Sequence, residues 1–325
     1  MLIKEYVEEN QKFVSVKDGD FEVVLCDLGA SIFAIKLNER YMTQTPVDVK
    51  DFVIKRAFAG KTVGRVGNRI KGNVITIEGK EYKLIDNEKG NTLHGGVEGL
   101  STKSFDYEIK EEKGQTQVIY SYLSKDGESG FPGNLSLKVI YTIIEGNNEL
   151  RIDFVATTDQ VTACSLTNHA YYTVGERSLK DTKLLINASH YLYCNPIDLI
   201  PIEKREVTDY LDFRKVKSVM HDINNPILRN SKANGYDHHY YFDDNNPDSL
   251  KAELIGKEYK MQVYTNFGGM QIYSSNHETV KPQHELELGR NISMAIEPQD
   301  EFLHLHLLRP NEVYSRFMRF IFIKL

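Results

Sequence analysis

In the run NLSLKVIYTI (134–143) every second residue from Leu135 to Ile143 is apolar or aromatic, and ELRIDFVA (149–156) repeats the alternation with Leu150, Ile152, Phe154 and Ala156. A period of two puts one set of side chains on a single face of an extended strand, which a helix of about 3.6 residues per turn cannot do. IEGNN, between the two runs, supplies the glycine and asparagines of a turn, so together they read as an antiparallel hairpin. The pattern returns in NVITIEGKEYKLI, KLLINASHYLYCN, ELIGKEYKMQVYT and VYSRFMRFIFIKL. Helical spacing is rare, and VTDYLDFRKVKSVM (207–220) is expected to supply only a turn or two. Many short strands joined by Gly, Asn, Asp and Pro turns predict an all-β protein: a large antiparallel β-sandwich with few short helices. No low-complexity linker or internal repeat divides the sequence, so residues 1–325 are expected to form a single domain.

Composition narrows the partners. Hydrophobic residues make up 41% and charged residues 26%, and no apolar run approaches the roughly 18 residues of a membrane span. MLIKEYVEEN at the start lacks the basic, apolar and small-residue regions of a secretory signal, which makes the cytoplasm the default expectation. Cys26, Cys164 and Cys194 have no metal-type spacing and read as reduced thiols. A net charge of −6, with Lys and Arg scattered among acids, leaves no electrostatic footprint for nucleic acid. The expected partner is a small, non-polyanionic molecule, bound by a monomer or a homodimer.

Five segments interrupt the strand pattern with polar groups: GRVGNRI (64–70), NTLHGG (91–96), LTNHAYYTV (166–174), NGYDHHYYF (234–242) and MAIEPQ (294–299). A buried polar group without a partner costs about 1–3 kcal/mol, so such clusters usually serve one another or a ligand. Arg65, Arg69, His94, His169, Asp237 and Glu297 together offer donors, acceptors and titratable groups, a mixture suited to a polyhydroxylated ligand. Tyr or Phe would have to stack on a sugar face, since the chain has no Trp. Each residue also has a plainer explanation. Arg65 and Arg69 could be ion-pair arginines, His94 a turn residue, His169 a hydrogen-bonded core histidine, Asp237 an Asx turn and Glu297 a solvated strand end.

Metal binding is the competing arrangement, through adjacent His238 and His239 or through His304 and His306 in HLHLL, but neither pair has a convincing third ligand in the sequence. The phosphate-loop, dinucleotide and nucleophile-elbow signatures are missing as well. No cofactor and no metal are expected.

In order and spacing these segments resemble the aldose 1-epimerase (galactose mutarotase) family along nearly the whole chain. GRVGNRI, NTLHGG, GFPGNL, LTNHAYY, YLDFR, YDHHYYF, VYTNFGGMQIYSSN, AIEPQ and LLRPNEVYSRFMRF all fall where that family has related motifs. The resemblance implies a galactose mutarotase-like supersandwich and interconversion of the α and β anomers of a free aldose, without a cofactor. It further implies Glu297 as general base, His169 as general acid and His94 as a second donor near the ring oxygen, with Arg69, Asp237 and Asn68 holding hydroxyls. An arginine or backbone donors near Glu297 would keep it ionised. In a regular strand Asn168 would face away from His169 and act structurally. Val66-Gly67, Ala170, Tyr172 and Pro298 depart from the family pattern and are expected to touch the pocket walls. The rival expectations are a hexose 6-phosphate epimerase, for which Arg65 is the extra basic residue, and a non-catalytic sugar-binding sandwich.

Overall fold

The computed structural model describes residues 1–46, 48–54, 58–277 and 289–325. Three sheets dominate. A five-stranded meander runs through Leu2–Glu8, Gln11–Asp18, Phe21–Cys26, Ser31–Leu37 and Arg40–Tyr41. The nine-stranded sheet orders its strands Asp106–Glu112, Gln115–Ser124, Leu135–Ile144, Glu149–Thr158, Tyr314–Lys324, Tyr259–Thr265, Ala252–Ile255, Lys183–Ile186 and Lys217–Ser218. The six-stranded sheet orders Tyr171–Tyr172, Met294–Gln299, Gly269–Tyr273, Asp237–Tyr241, His190–Cys194 and Pro201–Glu206. Every pairing in these sheets is antiparallel.

The hairpin read from alternation is present, with Ile144 opposite Glu149 across its turn. Its alternate residues Leu135, Leu137, Val139, Tyr141 and Ile143, with Leu150, Ile152, Phe154 and Ala156, are all buried. Burying each large side chain of this kind stabilises the fold by roughly 1.5–3 kcal/mol. Tyr172 of the six-stranded sheet packs its ring 5.1 Å from Phe320 and 6.4 Å from Phe322 of the nine-stranded sheet. Sheet therefore lies on sheet, and the core is the layer between them.

One hairpin differs from expectation, while the helical segment supplies the turn expected of it. KLLINASHYLYCN does not fold as one hairpin: Lys183–Ile186 joins the nine-stranded sheet and His190–Cys194 the six-stranded one. Its two apolar runs fill different layers, a choice that depends on distant partners and not on local period. VTDYLDFRKVKSVM forms one 3₁₀ turn, Asp209–Leu211, and then the strand Lys217–Ser218. The short α-helices lie instead at Val49–Ile54 and at Pro226–Arg229, where Asn225 caps the Ile227 N–H and Pro occupies the first turn.

The alternation in the six-stranded sheet positions the site. Met270, Ile272, Ile296 and Tyr240 point into the core, so Gln271, Tyr273, Glu297, Asp237 and His239 point the other way. Glu297 stands directly opposite Gln271, and Gln271 opposite His239. Met294–Gln299 is buried along its whole length, because other segments cover this second face too.

Candidate active site

A cleft of about 340 Å³ opens on that face, inside the range of small-molecule sites. Asn68, Arg69, His94, His169, Asp237 and Glu297 all line it. Residues up to 229 positions apart in sequence are thus brought together, from five separate segments of the chain.

Arg69 opens a short strand, Arg69–Lys71, that pairs with Asn91–Leu93, so GRVGNRI and NTLHGG arrive as one unit. The Asn68 N–H donates to His94 Nδ1 at 3.1 Å, and the His94 N–H donates to the Asn68 carbonyl at 3.0 Å. With Nδ1 accepting, neutral His94 carries its proton on Nε2. Gly95 follows at φ +85°, and a side chain there would run into the Gly64 carbonyl. That close approach explains the first glycine of the HGG motif. Asn68 Oδ1 accepts from the Arg69 backbone N–H at 3.1 Å, so Asn68 acts first as a local brace for its neighbours.

LTNHAYYTV is not one strand. Thr167–Asn168 pairs with Thr62–Val63, Tyr171–Tyr172 joins the six-stranded sheet, and His169 sits at the junction. The His169 N–H donates to the Lys61 carbonyl and its own carbonyl accepts from Gly60, both at 2.9 Å. Asn168 turns away, as expected, and its amide donates to the Gly60 carbonyl at 2.7 Å and to the Tyr141 hydroxyl at 3.2 Å. His169 Nε2 lies 3.5 Å from Glu297 Oε1. The rings of Phe58, His94, His169 and Tyr171 form a continuous wall, with centroids 4.7 to 6.0 Å apart.

Electrostatics here are governed by burial. Glu297 is 1% exposed, and loss of water pushes its carboxyl well above the ordinary value, helped by Asp237 and opposed by Arg69. Burial lowers His169 to about 4 and takes His94 well below the ordinary imidazole value. Arg69 therefore acts on Glu297 in the expected direction, but desolvation is the larger influence. The neutral forms of the pair are favoured, and one proton is shared between two close groups. Asp237 is raised by burial and restrained by Arg69, whose Nη1 is 3.8 Å from its carboxylate, and by a Gln271 donor at 2.5 Å.

Sequence reasoning did not single out Phe58, Glu88, Lys232 or Gln271, and it left the aromatic residues unassigned. Tyr171 and Tyr273 line the cleft; Tyr171 lay inside a segment already marked by its polar interruptions, and Tyr273 only inside the family-like motif VYTNFGGMQIYSSN. Glu88 and Lys232 carried no such signal, because their pairing spans 144 positions. Other expectations fail outright. Val66, Gly67, Ala170, Tyr172 and Pro298 do not line the cleft; Tyr172 and Ala170 are core residues, and the Pro298 carbonyl accepts from the Thr167 hydroxyl. Arg65 is 2% exposed and donates to Ser124, Lys125, Pro132, Gly133 and Thr162. Its donors brace loops and are not free to receive a phosphate.

Among the described residues no cluster of three or more His, Cys, Asp or Glu could hold a metal. His304 is exposed and bonded to Glu301. The three cysteines are free, and Cys194 is only half-buried. No helix among the described residues is long and apolar enough to cross a membrane.

A sandwich of large antiparallel sheets with a buried histidine and glutamate side by side in a polar cleft on one face is a galactose mutarotase-like architecture. The sequence profile of the aldose 1-epimerase family matches residues 12–320. Galactose mutarotase of Bos taurus is 28% identical, covering 94% of this chain and 92% of its own length. Aldose 1-epimerase of Haemophilus influenzae is 30% identical, covering 77% of this chain and 74% of its own. The crystal structure of galactose 1-epimerase from Lactobacillus acidophilus superposes with a TM-score of 0.89 at 25% identity, covering 99% of this chain and 98% of that one. The chain belongs to the aldose 1-epimerase family, and its class is isomerase.

Proposed function

We propose that this isomerase interconverts the α and β anomers of free hexoses such as galactose and glucose, with Glu297 as general base and His169 as general acid. The observation that carries the reading is the 3.5 Å separation of His169 Nε2 and Glu297 Oε1. The two oxygens that exchange protons in mutarotation, the anomeric hydroxyl and the ring oxygen, are bonded to the same carbon, so an acid and a base must converge on one small patch. Glu297 takes the proton from the anomeric hydroxyl as His169 gives one to the ring oxygen. The C1–O5 bond breaks, the C1–C2 bond rotates, and the reverse transfers close the ring on the other face of the aldehyde. Nothing is oxidised and the pair regains its starting proton, so no co-reactant is required.

The productive form has the proton on His169 and Glu297 ionised, and Arg69 favours that form by lowering the Glu297 carboxyl. His94 presents its Nε2–H as a second donor beside the ring oxygen, while Arg69 and Asp237 hold hydroxyls. Asn68 supports Arg69 and His94 through the bonds described above. Phe58, Tyr171 and Tyr273 supply the aromatic surface for the sugar faces.

Polarimetry on freshly dissolved α-D-galactose and α-D-glucose tests the reading. The wild type should speed the approach to anomeric equilibrium, and Glu297→Gln should lose about 10²–10⁴ of that rate, or about 3–5 kcal/mol of barrier. A wild-type rate equal to the uncatalysed one with both sugars would sink it. Equilibrium titration with the same sugars would then reveal a site that only binds.

A further inference from the structure

We propose that Glu88 is a specificity-determining residue of this cleft: clamped by Arg69 and Lys232, it sets the site against aldoses that carry an anionic group and in favour of neutral or cationic ones. The proposal rests on the mutarotase reading and adds the charge class of its substrate.

Glu88 lines the cleft with Arg69, Lys232, Asp237 and Glu297. It binds Arg69 through both carboxylate oxygens, Oε2 to Nε at 2.8 Å and Oε1 to Nη2 at 3.1 Å. Lys232 Nζ reaches Oε1 at 3.1 Å. The Arg69 fork is therefore mostly spent on a carboxylate of the protein's own, leaving Nη1 turned toward Asp237. A bidentate pair of this kind, with only 12% of the Arg69 and 17% of the Glu88 side chain exposed, is among the stronger ion-pair geometries. An incoming phosphate or carboxylate would have to displace it.

Glu88 is held in place before any ligand arrives. Its own N–H donates to Asp86 Oδ1 at 3.0 Å and to the Asn91 carbonyl at 3.1 Å. The Gly90 N–H donates to Asp86 Oδ2 at 2.8 Å, and the Asn87 amide to the Leu93 carbonyl at 2.9 Å. The loop before NTLHGG is thus a braced device and not a loose surface turn.

Among the described lining residues the Glu88 and Asp237 carboxyls face Arg69 and Lys232, His277 stands on the same wall, and burial favours the neutral forms of Glu297, His94 and His169. Arg65, the remaining basic residue of GRVGNRI, is engaged elsewhere. Discrimination by charge then comes from a repulsive element placed beside the attractive ones.

The test compares kcat/KM, by polarimetry, for galactose, galacturonate and galactosamine in its protonated form, with wild type, Glu88→Gln and Lys232→Met. Glutamine keeps an acceptor for Arg69 and removes the charge. In Glu88→Gln the galacturonate-to-galactose ratio should rise by about tenfold or more, the scale of one like charge lost from a partly buried site, and the galactosamine-to-galactose ratio should fall. Lys232→Met should move the galacturonate ratio the other way. Calorimetric binding of galacturonate against galactose reads the same preference if a variant turns over poorly. Ratios that stay fixed, or that move together for both charged sugars, overturn the proposal. A wild type inactive on galactose and glucose would instead remove the mutarotase reading, and this proposal with it.

Discussion

Lys61 lies directly behind His169, accepting the His169 N–H with its backbone carbonyl while its side chain is 4% exposed. Its ammonium donates to the Phe52 carbonyl at 3.2 Å and stands 4.6 Å from the Phe52 ring. Burial lowers it from the ordinary 10.5 to about 8. At about 1.4 kcal/mol per tenfold, that difference corresponds to about 3 kcal/mol lost on folding wherever the amine is charged in both states. The folded pKa is below the unfolded one, so between about 8 and 10.5 the unfolded chain holds more protons. Stability contributed by this group therefore rises with pH across that window and is at its lowest below it. Lys61→Met has similar length and no charge, and it gives up the Phe52 hydrogen bond and the cation–π contact, each worth about 1 kcal/mol. The variant should be more stable than wild type by about 1–2 kcal/mol at neutral pH and lose that advantage above the window. Urea midpoints at neutral and at high pH measure both, and other titrating groups cancel in the difference between the two proteins. A variant that is less stable by the same amount at both pH values would show that Lys61 is a satisfied cation, refuting the desolvation argument.

The acid–base roles proposed for Glu297 and His169 predict a bell-shaped dependence of kcat/KM on pH, measured by polarimetry. Activity should fall below about pH 4, where His169 keeps its proton while Glu297 is protonated as well, and fall again at high pH when the pair holds none; a single limb would contradict a shared proton. Arg65→Met should cost about 3–5 kcal/mol in denaturant unfolding, because the carbonyls of Ser124, Lys125, Pro132 and Gly133 lose their donor. An unchanged urea midpoint would show that those carbonyls are satisfied otherwise. Asn168→Leu should lose about 2 kcal/mol and also slow mutarotation, since Asn168 bonds Gly60 and Ala170 on either side of the His169 anchor. Loss of stability with full activity would separate the two roles.

What the sequence makes legible depends on how far a residue must reach for its partners. Leu135 to Ile143 declare a strand because the period-two signal is contained within the strand itself, and the sandwich follows from repeating it. Ile186 and His190 end up in different sheets because that choice belongs to the layers, which no window of neighbouring residues encodes. The same division runs through the site. Glu297 and His169 stand out as polar interruptions of apolar runs, and the family resemblance suggests roles for them, but nothing local reports that burial acts on Glu297 more strongly than Arg69 does. Arg65 and Arg69 are four residues apart in one motif, yet one is consumed by loop carbonyls and the other faces the cleft, a distinction made by contacts at separations of 59 to 97 positions. Glu88 is the clearest case. Nothing in IDNEKGN marks it, and its place in the cleft comes from the pairing with Arg69 and Lys232. Chemistry shared by the whole family is thus written in motifs. Val66, Ala170, Tyr172 and Pro298 do not line the cleft, so the specificity proposal rests on Glu88, a residue that acquires its meaning only after folding.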